Sequence, residues 1–445
     1  MVSTHYPPGP RARFPGTHLL AFRRDMLGFL CRLRRQYGDV VAFRLGPERA
    51  VLLSHPEHIH DVLVRQHRSF MKGRRGDVSK QFLGAGLLNS EGAVHQRQRR
   101  LMQPAFHRQR LAHYATVMTT YGARLSASWH DRERLDIAPT MMRVTLAIAG
   151  KTLFDAAVED EATDIGRALT TLLRLSPRFS LPFAPLLLKL PLPSNTKLRQ
   201  AQHYLDTLIY RLIDERRTTG VDTGDVLSML LFAQYDEDGS RMSARQVHDE
   251  ALTLLLAGHE TTALALSWTW YLLAQHPDAD TALQHELQTV LGGRLPTYED
   301  LPQLQFTRMV LSEGIRLYPP AWLMTRRACE DVVIGDYRFP TGTFFFISPY
   351  ITHRDRRYFA DPEAFVPERW AVNSAASLPR YAYFPFGGGP RQCIGEGFAW
   401  MEGLLLLATV AQTWHMRLVP DHPVEPLPLV TLRPRYGIHM QLERR

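Results

Sequence analysis

The chain has 445 residues, 45% of them hydrophobic, and a formal net charge of +9 at pH 7. That is apolar material enough for a sizeable core, and three cysteines without a pairing pattern argue against a disulfide-stapled secreted fold and for a reducing, cytoplasmic setting. The first forty residues hold no long apolar run and are broken by Pro7, Pro8 and Pro10, so neither a signal peptide nor a membrane anchor is expected. No aromatics interleave with the basic residues, so the charge suits solubility or an acidic protein partner and not nucleic acid.

Taken in chain order, residues 38–54 (GDVVAFRLGPERAVLLS) read as a hairpin of two β-rich runs about a Gly-Pro turn. Apolar periodicity predicts helices over 57–68, 96–129, 139–154 and 160–175. Residues 176–194 (SPRFSLPFAPLLLKLPLPS) are rich in proline, which breaks helix, yet they are greasy enough for a lid over a substrate entrance; a buried loop is the equal alternative. Helices resume over 197–217, 225–235 and 243–275. Short strands are expected over 331–349, and strands and turns in the last forty residues. There is no internal repeat and no low-complexity segment, and the fold class is mainly α with a smaller β part.

The run FPFGGGPRQCIGEGFA, Phe384 to Ala399, carries the strongest chemical signal. It sets Cys393 in a loop of glycine and cation just before an apolar helix. Gly387, Gly388 and Gly389 let a backbone approach a flat object closely. Arg391, two residues before the sulfur, can meet an anion at that object's edge, and a helix N-terminus stabilises a sulfur anion. A cysteine so placed suits ligation of haem iron from one face. Cys31 and Cys329 have no metal-ligand neighbour at short spacing and read as structural thiols.

The spacing Phe386-x-x-Gly389-x-x-x-Cys393-x-Gly395 resembles the haem-binding signature of the cytochrome P450 family. The resemblance covers nearly the whole chain and implies one catalytic domain over 1–445, opened by a proline-rich segment at 1–15. It also implies haem b between a long oxygen-activation helix and the cysteine loop. That helix is marked by Ala257-Gly258-His259-Glu260-Thr261-Thr262, a polar hexapeptide between apolar runs. A helix apolar all round is buried, so a carboxylate inside it needs a task. Glycine and adjacent threonines that bond back to carbonyls favour a local bend and a groove. The resemblance gives Thr261 the bound dioxygen and its protons, makes Glu260 a proton relay, and sets Ala257 and Gly258 over the haem face.

Glu313-Gly-Ile-Arg316, eighty residues before Cys393, is similar to the family's helix ion pair, with Arg369 as third member of a structural network that shapes the cysteine loop. Cations for the two propionates are sought by resemblance at Arg99, Arg326 and Arg391, with His95 where many relatives carry tryptophan. Phe386 and Gly395 complete the cofactor set.

The implied chemistry is monooxygenation: one oxygen atom of O2 enters a C–H bond, or a double bond, of a substrate and the other leaves as water. About fifty residues follow Cys393, too few for a redox domain, so electrons are expected from a separate ferredoxin or flavodoxin and its NAD(P)H-dependent reductase, guided by Arg97, Arg100, Arg108 and Arg110. Pocket residues implied by resemblance are Leu87, Leu88, Phe183, Leu254, Ala257, Gly258, Ala321, Trp322, Leu323, Leu429 and Val430. That wall is nearly all apolar, so the substrate is a hydrophobic small molecule. The stretches HQRQRRLMQPAF, LPLPSNTK and AWLMTRRA resemble bacterial members that hydroxylate terpenes, with fatty acids and steroids left open. Two alternatives stand beside this reading. One is a peroxide-driven peroxygenase of the same fold, whose members usually lack an acid–threonine pair. The other is a haem-thiolate sensor, which would not need one.

Overall fold

A computed structural model describes residues 6–11, 14, 16–73, 84–175, 188, 190–235, 239–371 and 377–445. The chain divides into two compact units. The first comprises Met1–Gly73, Ser312–Cys393 and Val430–Leu432. The second comprises Arg74–Leu311, Ile394–Leu429 and Arg433–Arg445.

The first unit is built on a five-stranded sheet ordered Val40–Leu45, Glu48–Leu53, Phe344–Ile347, Met324–Ala328, Phe70–Met71. Its first two strands are the expected hairpin, in register from Val40 opposite Leu53 to Leu45 opposite Glu48. Gly46 takes φ +64° in the turn, a conformation glycine reaches without strain. Only the pairing of Glu48–Leu53 with Phe344–Ile347 is parallel. One core cluster joins Val51, Leu53, Ile59, Phe339 and Phe345. Another joins Phe29, Leu30, Phe43, Leu52 and Phe346 beneath the helices Thr17–Arg24 and Met26–Tyr37. The expected short strands appear as Val332–Ile334, Tyr337–Phe339 and Phe344–Ile347.

The second unit is mainly helical and includes a three-stranded antiparallel sheet of Arg134–Asp136, His439–Arg444 and Trp414–Leu418. The helix expected over 96–129 is in fact two, Gly92–Met102 and Arg108–Ala127. Pro104, which lacks an amide donor, forces the 3-10 turn Gln103–Phe106 and an extended His107 between them. The helix expected over 57–68, in the first unit, likewise resolves into Pro56–His60, a π-turn Asp61–Arg65 and a 3-10 turn His67–Ser69. Other helices run from Ile137–Phe154, Ala162–Leu175, Pro193–Thr219 and Val226–Phe232, the last ending three residues short of expectation. Residues 176–187 and 189 of the proline-rich segment, Phe183 among them, lie outside the described residues.

The longest helix is Ala244–Leu273. Ser243 and Gln246 close a reciprocal capping box at its start, which satisfies two otherwise orphaned amides. It runs unbroken through the polar hexapeptide. Among the described residues no helix is long and apolar enough to cross a membrane.

Candidate functional site

In the first unit the cysteine loop is fixed by its own backbone. The amide of Gly387 donates to Phe384 O, that of Gln392 to Gly389 O, and that of Cys393 to Phe386 O, each at 3.0 Å. Residues Gly389–Arg391 form one 3-10 turn, and the Cys393 side chain is exposed. Internal packing itself requires two of the loop's glycines. A Cβ on Gly389 would sit 2.0 Å from Leu63 O, and Gly389 has φ +65°. On Gly388 it would sit 2.4 Å from the Tyr381 ring. Gly387 also takes a left-handed φ of +73°. Gly395 is different: its φ is −91°, and among the described residues a Cβ would meet only Phe106, at an ordinary 3.6 Å. Phe386 is half-buried, and the half-buried Arg391 shares the loop. Arg326 is buried in the strand Met324–Ala328, opposite Phe345, with Nη1 donating to Thr325 O at 3.0 Å.

Beneath the loop lies the ion-pair network. Glu313 and Arg316 are 0% exposed, and the guanidinium grips the carboxylate through Nε and Nη2, both at 2.8 Å. Its remaining protons go to the carbonyls of His353, Pro362 and Ala364, so all five donors are used. Glu313 also accepts from Arg369 Nε, Val366 N and Trp370 Nε1. The network reaches the cysteine loop through His353, whose Nε2 accepts the Phe384 amide at 3.0 Å. Burial first, then Arg316 and Arg354, hold the His353 ring well below the ordinary histidine range, so it is neutral and able to accept that bond. Sequence reasoning did not single out His353.

In the second unit the middle of the long helix exposes a short patch between buried turns. Ala257 is exposed, Gly258 and Thr261 half-buried, while Leu254, His259, Glu260 and Thr262 are buried. Thr261 Oγ1 donates to Ala257 O at 2.9 Å, the back-bond expected of it. Thr262 makes none; its hydroxyl faces the carboxyl of Glu402 without closing a hydrogen bond of ordinary geometry. Glu402 is fully buried in the apolar helix Glu396–Ala411, and burial drives its carboxyl far above the usual range. Glu260 is paired at 2.8 Å with Arg433 Nε, while Arg433 Nη1 donates to Thr170 Oγ1 at 3.2 Å. Neither Arg433 nor Glu402 figured in the sequence reading. The lone glutamate in an apolar run was a visible signal for Glu402, whereas Arg433, in the short strand Leu432–Pro434, had none.

His95 and Arg99 share one face of the helix Gly92–Met102, four residues apart, the first buried and the second half-buried. Among the wall candidates, Leu87 is buried, Leu88 exposed and Leu429 half-buried, all in the second unit with Leu254, Ala257 and Gly258. Ala321, Trp322, Leu323 and Val430 belong to the first. Trp322 is 1% exposed within the aromatic core of Phe22, Phe29 and Phe346, with Leu323 at the edge of that cluster. Its indole serves the core. Of the basic residues proposed for partner docking, Arg97 is engaged internally. Its guanidinium lies 3.5 Å over the Tyr235 ring and donates to Ser240 Oγ. Arg100 stays exposed, Arg110 is half-buried, and the Arg108 side chain lies outside the described residues.

A family model described as Cytochrome P450 matches residues 7–440. Among similar proteins, "Cyclooctatin synthase" of Streptomyces melanosporofaciens is 42% identical over 417 residues, covering 93% of this chain and 91% of that one. "Cyclooctat-9-en-7-ol 5-monooxygenase" of the same organism is 38% identical over 91% of this chain and 88% of its own. "Pentalenene oxygenase" of Streptomyces avermitilis is 35% identical over 96% and 95%.

Proposed function

The chain belongs to the cytochrome P450 family and is a monooxygenase, and on that premise we propose that it inserts oxygen into a C–H bond of a terpene in the cytoplasm. Electrons come from a separate ferredoxin or flavodoxin and its NAD(P)H-dependent reductase. The substrate class is supported by the names of two relatives, one a monooxygenase of cyclooctat-9-en-7-ol and one an oxygenase of pentalenene. The apolar character of Leu87, Leu254, Ala257, Ala321 and Leu429 agrees with it.

The observation that carries the chemistry is the exposed thiol of Cys393 in a loop held by three backbone hydrogen bonds. A soft sulfur with Arg391 two residues away and Arg326 in the same unit fits a haem that needs one thiolate and neutralised carboxylates. Cys393 would hold the iron of haem b, and Arg391, Arg326, Arg99 and His95 its propionates. When bound, the haem supplies the oxidising power, and thiolate ligation favours O–O cleavage. The chain's own work is position and protons. Thr261 Oγ1, parked on Ala257 O, is the hydroxyl nearest the exposed patch of the long helix, and Glu260 is the adjacent carboxylate that passes protons to it. For Glu260 to do so, its ion pair with Arg433 must open or exchange its proton through Arg433's neighbours.

The test has two parts. Dithionite-reduced protein under carbon monoxide should give the red-shifted thiolate Soret band, and Cys393→Ser should lose it; a retained band rejects the ligand. Incubation of cyclooctat-9-en-7-ol and pentalenene with a ferredoxin system under 18O2 should yield singly labelled alcohol. Product formed only with hydrogen peroxide, or only from fatty acids or steroids, overturns the reading.

A further inference from the structure

The segment Gly84–Ser90 carries Leu87 and Leu88, and two neighbouring acids of the long helix hold its main chain. Asp249 Oδ2 accepts the Ala85 amide at 2.7 Å, and Glu250 Oε2 accepts the Leu87 amide at 2.8 Å. The residues on either side of Ala85 have to be small. A Cβ on Gly84 would lie 2.1 Å from the Asp249 carboxyl carbon, and Gly84 takes φ +67°. A Cβ on Gly86 would lie 2.3 Å from Thr253 Oγ1 and 2.4 Å from Asp249 O. The carbonyls are held too: Gln98 Nε2 donates to Ala85 O and Asn89 Nδ2 to Gly84 O, each at 3.1 Å. Thus Gly-Ala-Gly-Leu is read residue by residue through its backbone. Glu250 is 0% exposed and its other oxygen has no hydrogen-bond partner, a costly arrangement for a group with no task.

Asp249 is tied in a second direction. Its Oδ1 lies 3.0 Å from His248 Nδ1 and 3.1 Å from Arg245 Nε. His248 is buried, its Nε2 lies 3.0 Å from Asp206 Oδ1, and its ring stacks on Tyr210 at 4.6 Å. Asp206 and Tyr210 belong to the helix Pro193–Thr219. Asp249 thus holds the loop directly and reaches that helix through His248.

We propose that Asp249 and Glu250 are positioning residues, a clamp that fixes the loop Gly84–Ser90 and so sets substrate affinity, with His248 and Asp206 coupling the helix Pro193–Thr219 to it. The link from loop to affinity rests on the reading of Leu87 as substrate wall. Two titrations act on the clamp in one direction. Glu250 faces Asp249 and the Leu87 amide, and burial lifts its carboxyl to about 7. His248 faces Asp206, Asp249, Arg245 and Tyr210; burial lowers it, but the two carboxylates outweigh burial and raise it overall. A raised acid favours the clamped state fully below its ordinary range and loses that preference by about pH 7. A raised base is likewise favoured at low pH and loses its contribution as pH rises through its folded value. The clamp loosens as pH climbs above the ordinary carboxylate range.

Hydrogen exchange of the peptide spanning 84–90 in the haem-loaded protein, corrected for intrinsic rates, tests this directly. Protection should fall with rising pH by up to about tenfold per unit below pH 7. Glu250→Gln, a neutral isostere that still accepts the Leu87 amide, should keep the protection and flatten that slope. Glu250→Leu should strip the protection and weaken the spin-state titration with cyclooctat-9-en-7-ol at least tenfold, a loss that Glu250→Gln restores. A wild-type pH slope in Glu250→Gln overturns the proposal, and so does loop protection or probe affinity unchanged in Glu250→Leu. If the wild type itself gives no spin shift with this alcohol, the substrate reading fails, while the exchange slope still decides the clamp.

Discussion

Replacing Glu402 by glutamine should flatten part of the dependence of stability on pH. Glu402 sits fully buried in the helix Glu396–Ala411, and neither carboxyl oxygen has a hydrogen-bond partner. Burial dominates and raises its pKa well above the ordinary value of 4.5, with the Thr262 hydroxyl pulling the other way. The folded chain therefore keeps a proton that the unfolded chain releases. Its full contribution is present below the ordinary carboxylate range and is lost as pH rises toward the folded value. One proton of difference changes stability by about 1.4 kcal/mol per pH unit. The 445 residues carry an unfolding entropy of roughly 0.9 kcal/mol/K at about 2.1 cal/mol/K per residue, so that slope is worth about 1.5 °C per pH unit.

Glutamine keeps the shape of the side chain and cannot titrate. Melting curves followed by tryptophan fluorescence at pH 5, 6 and 7 should show the variant gaining on the wild type as pH rises, by at most about 1.5 °C per pH unit. Glu250 contributes a slope of the same sign to both proteins and cancels in the difference. Parallel curves would refute the argument, because they would mean that Glu402 is ionised in the folded protein or already neutral in the unfolded one.

Glu313→Ala leaves the Arg316 guanidinium buried without its carboxylate, at a cost of roughly 3–5 kcal/mol, so melting temperature and haem per protein should both fall; full haem occupancy with an unchanged melting temperature would count against the network's role. Arg433→Ala removes the cation that holds Glu260 and should change product formed per NADPH consumed, measured in a ferredoxin system; identical coupling would remove Arg433 from the proton path. Thr261→Ala should still bind haem and consume electrons but release more hydrogen peroxide and less product, and wild-type coupling would show that another donor serves the oxygen.

Much of the architecture was legible in the sequence because it rests on local rules. The hairpin over 40–53 follows from alternation about Gly46-Pro47, and the long helix from an apolar run opened by Ser243 and Gln246. The division at Pro104 was written in the sequence as well, but periodicity on either side concealed it. What was not legible depends on distant chain segments. The glycines of the cysteine loop looked like room for a cofactor, yet Leu63 O and Tyr381 decide two of them. Resemblance made Trp322 a pocket wall, and the structure packs it in the first unit's aromatic core. Arg433 meets Glu260 from 173 residues away, a separation no local pattern encodes.

The buried acids of the second unit show why residue type alone does not assign a role. Glu260, Glu250 and Glu402 are all glutamates on or against apolar helix, and each meets a different neighbour. Glu260 meets a guanidinium, Glu250 a backbone amide with Asp249 alongside, and Glu402 little more than a hydroxyl. A cation stabilises the charged form, an amide does so weakly, and an apolar wall opposes it. As proposed, Glu260 is a relay held in an ion pair and Glu250 a loop clamp whose carboxyl burial lifts to about 7, whereas burial drives the Glu402 carboxyl far above the usual range. If this ordering governs the chemistry, exchanging neighbours should exchange behaviour. Thr262→Lys, which brings a cation toward Glu402, should abolish the stability slope that Glu402→Gln abolishes, by keeping the charge instead of removing the proton. A slope left intact by Thr262→Lys would mean that burial alone, and not the neighbour, sets the state of the acid.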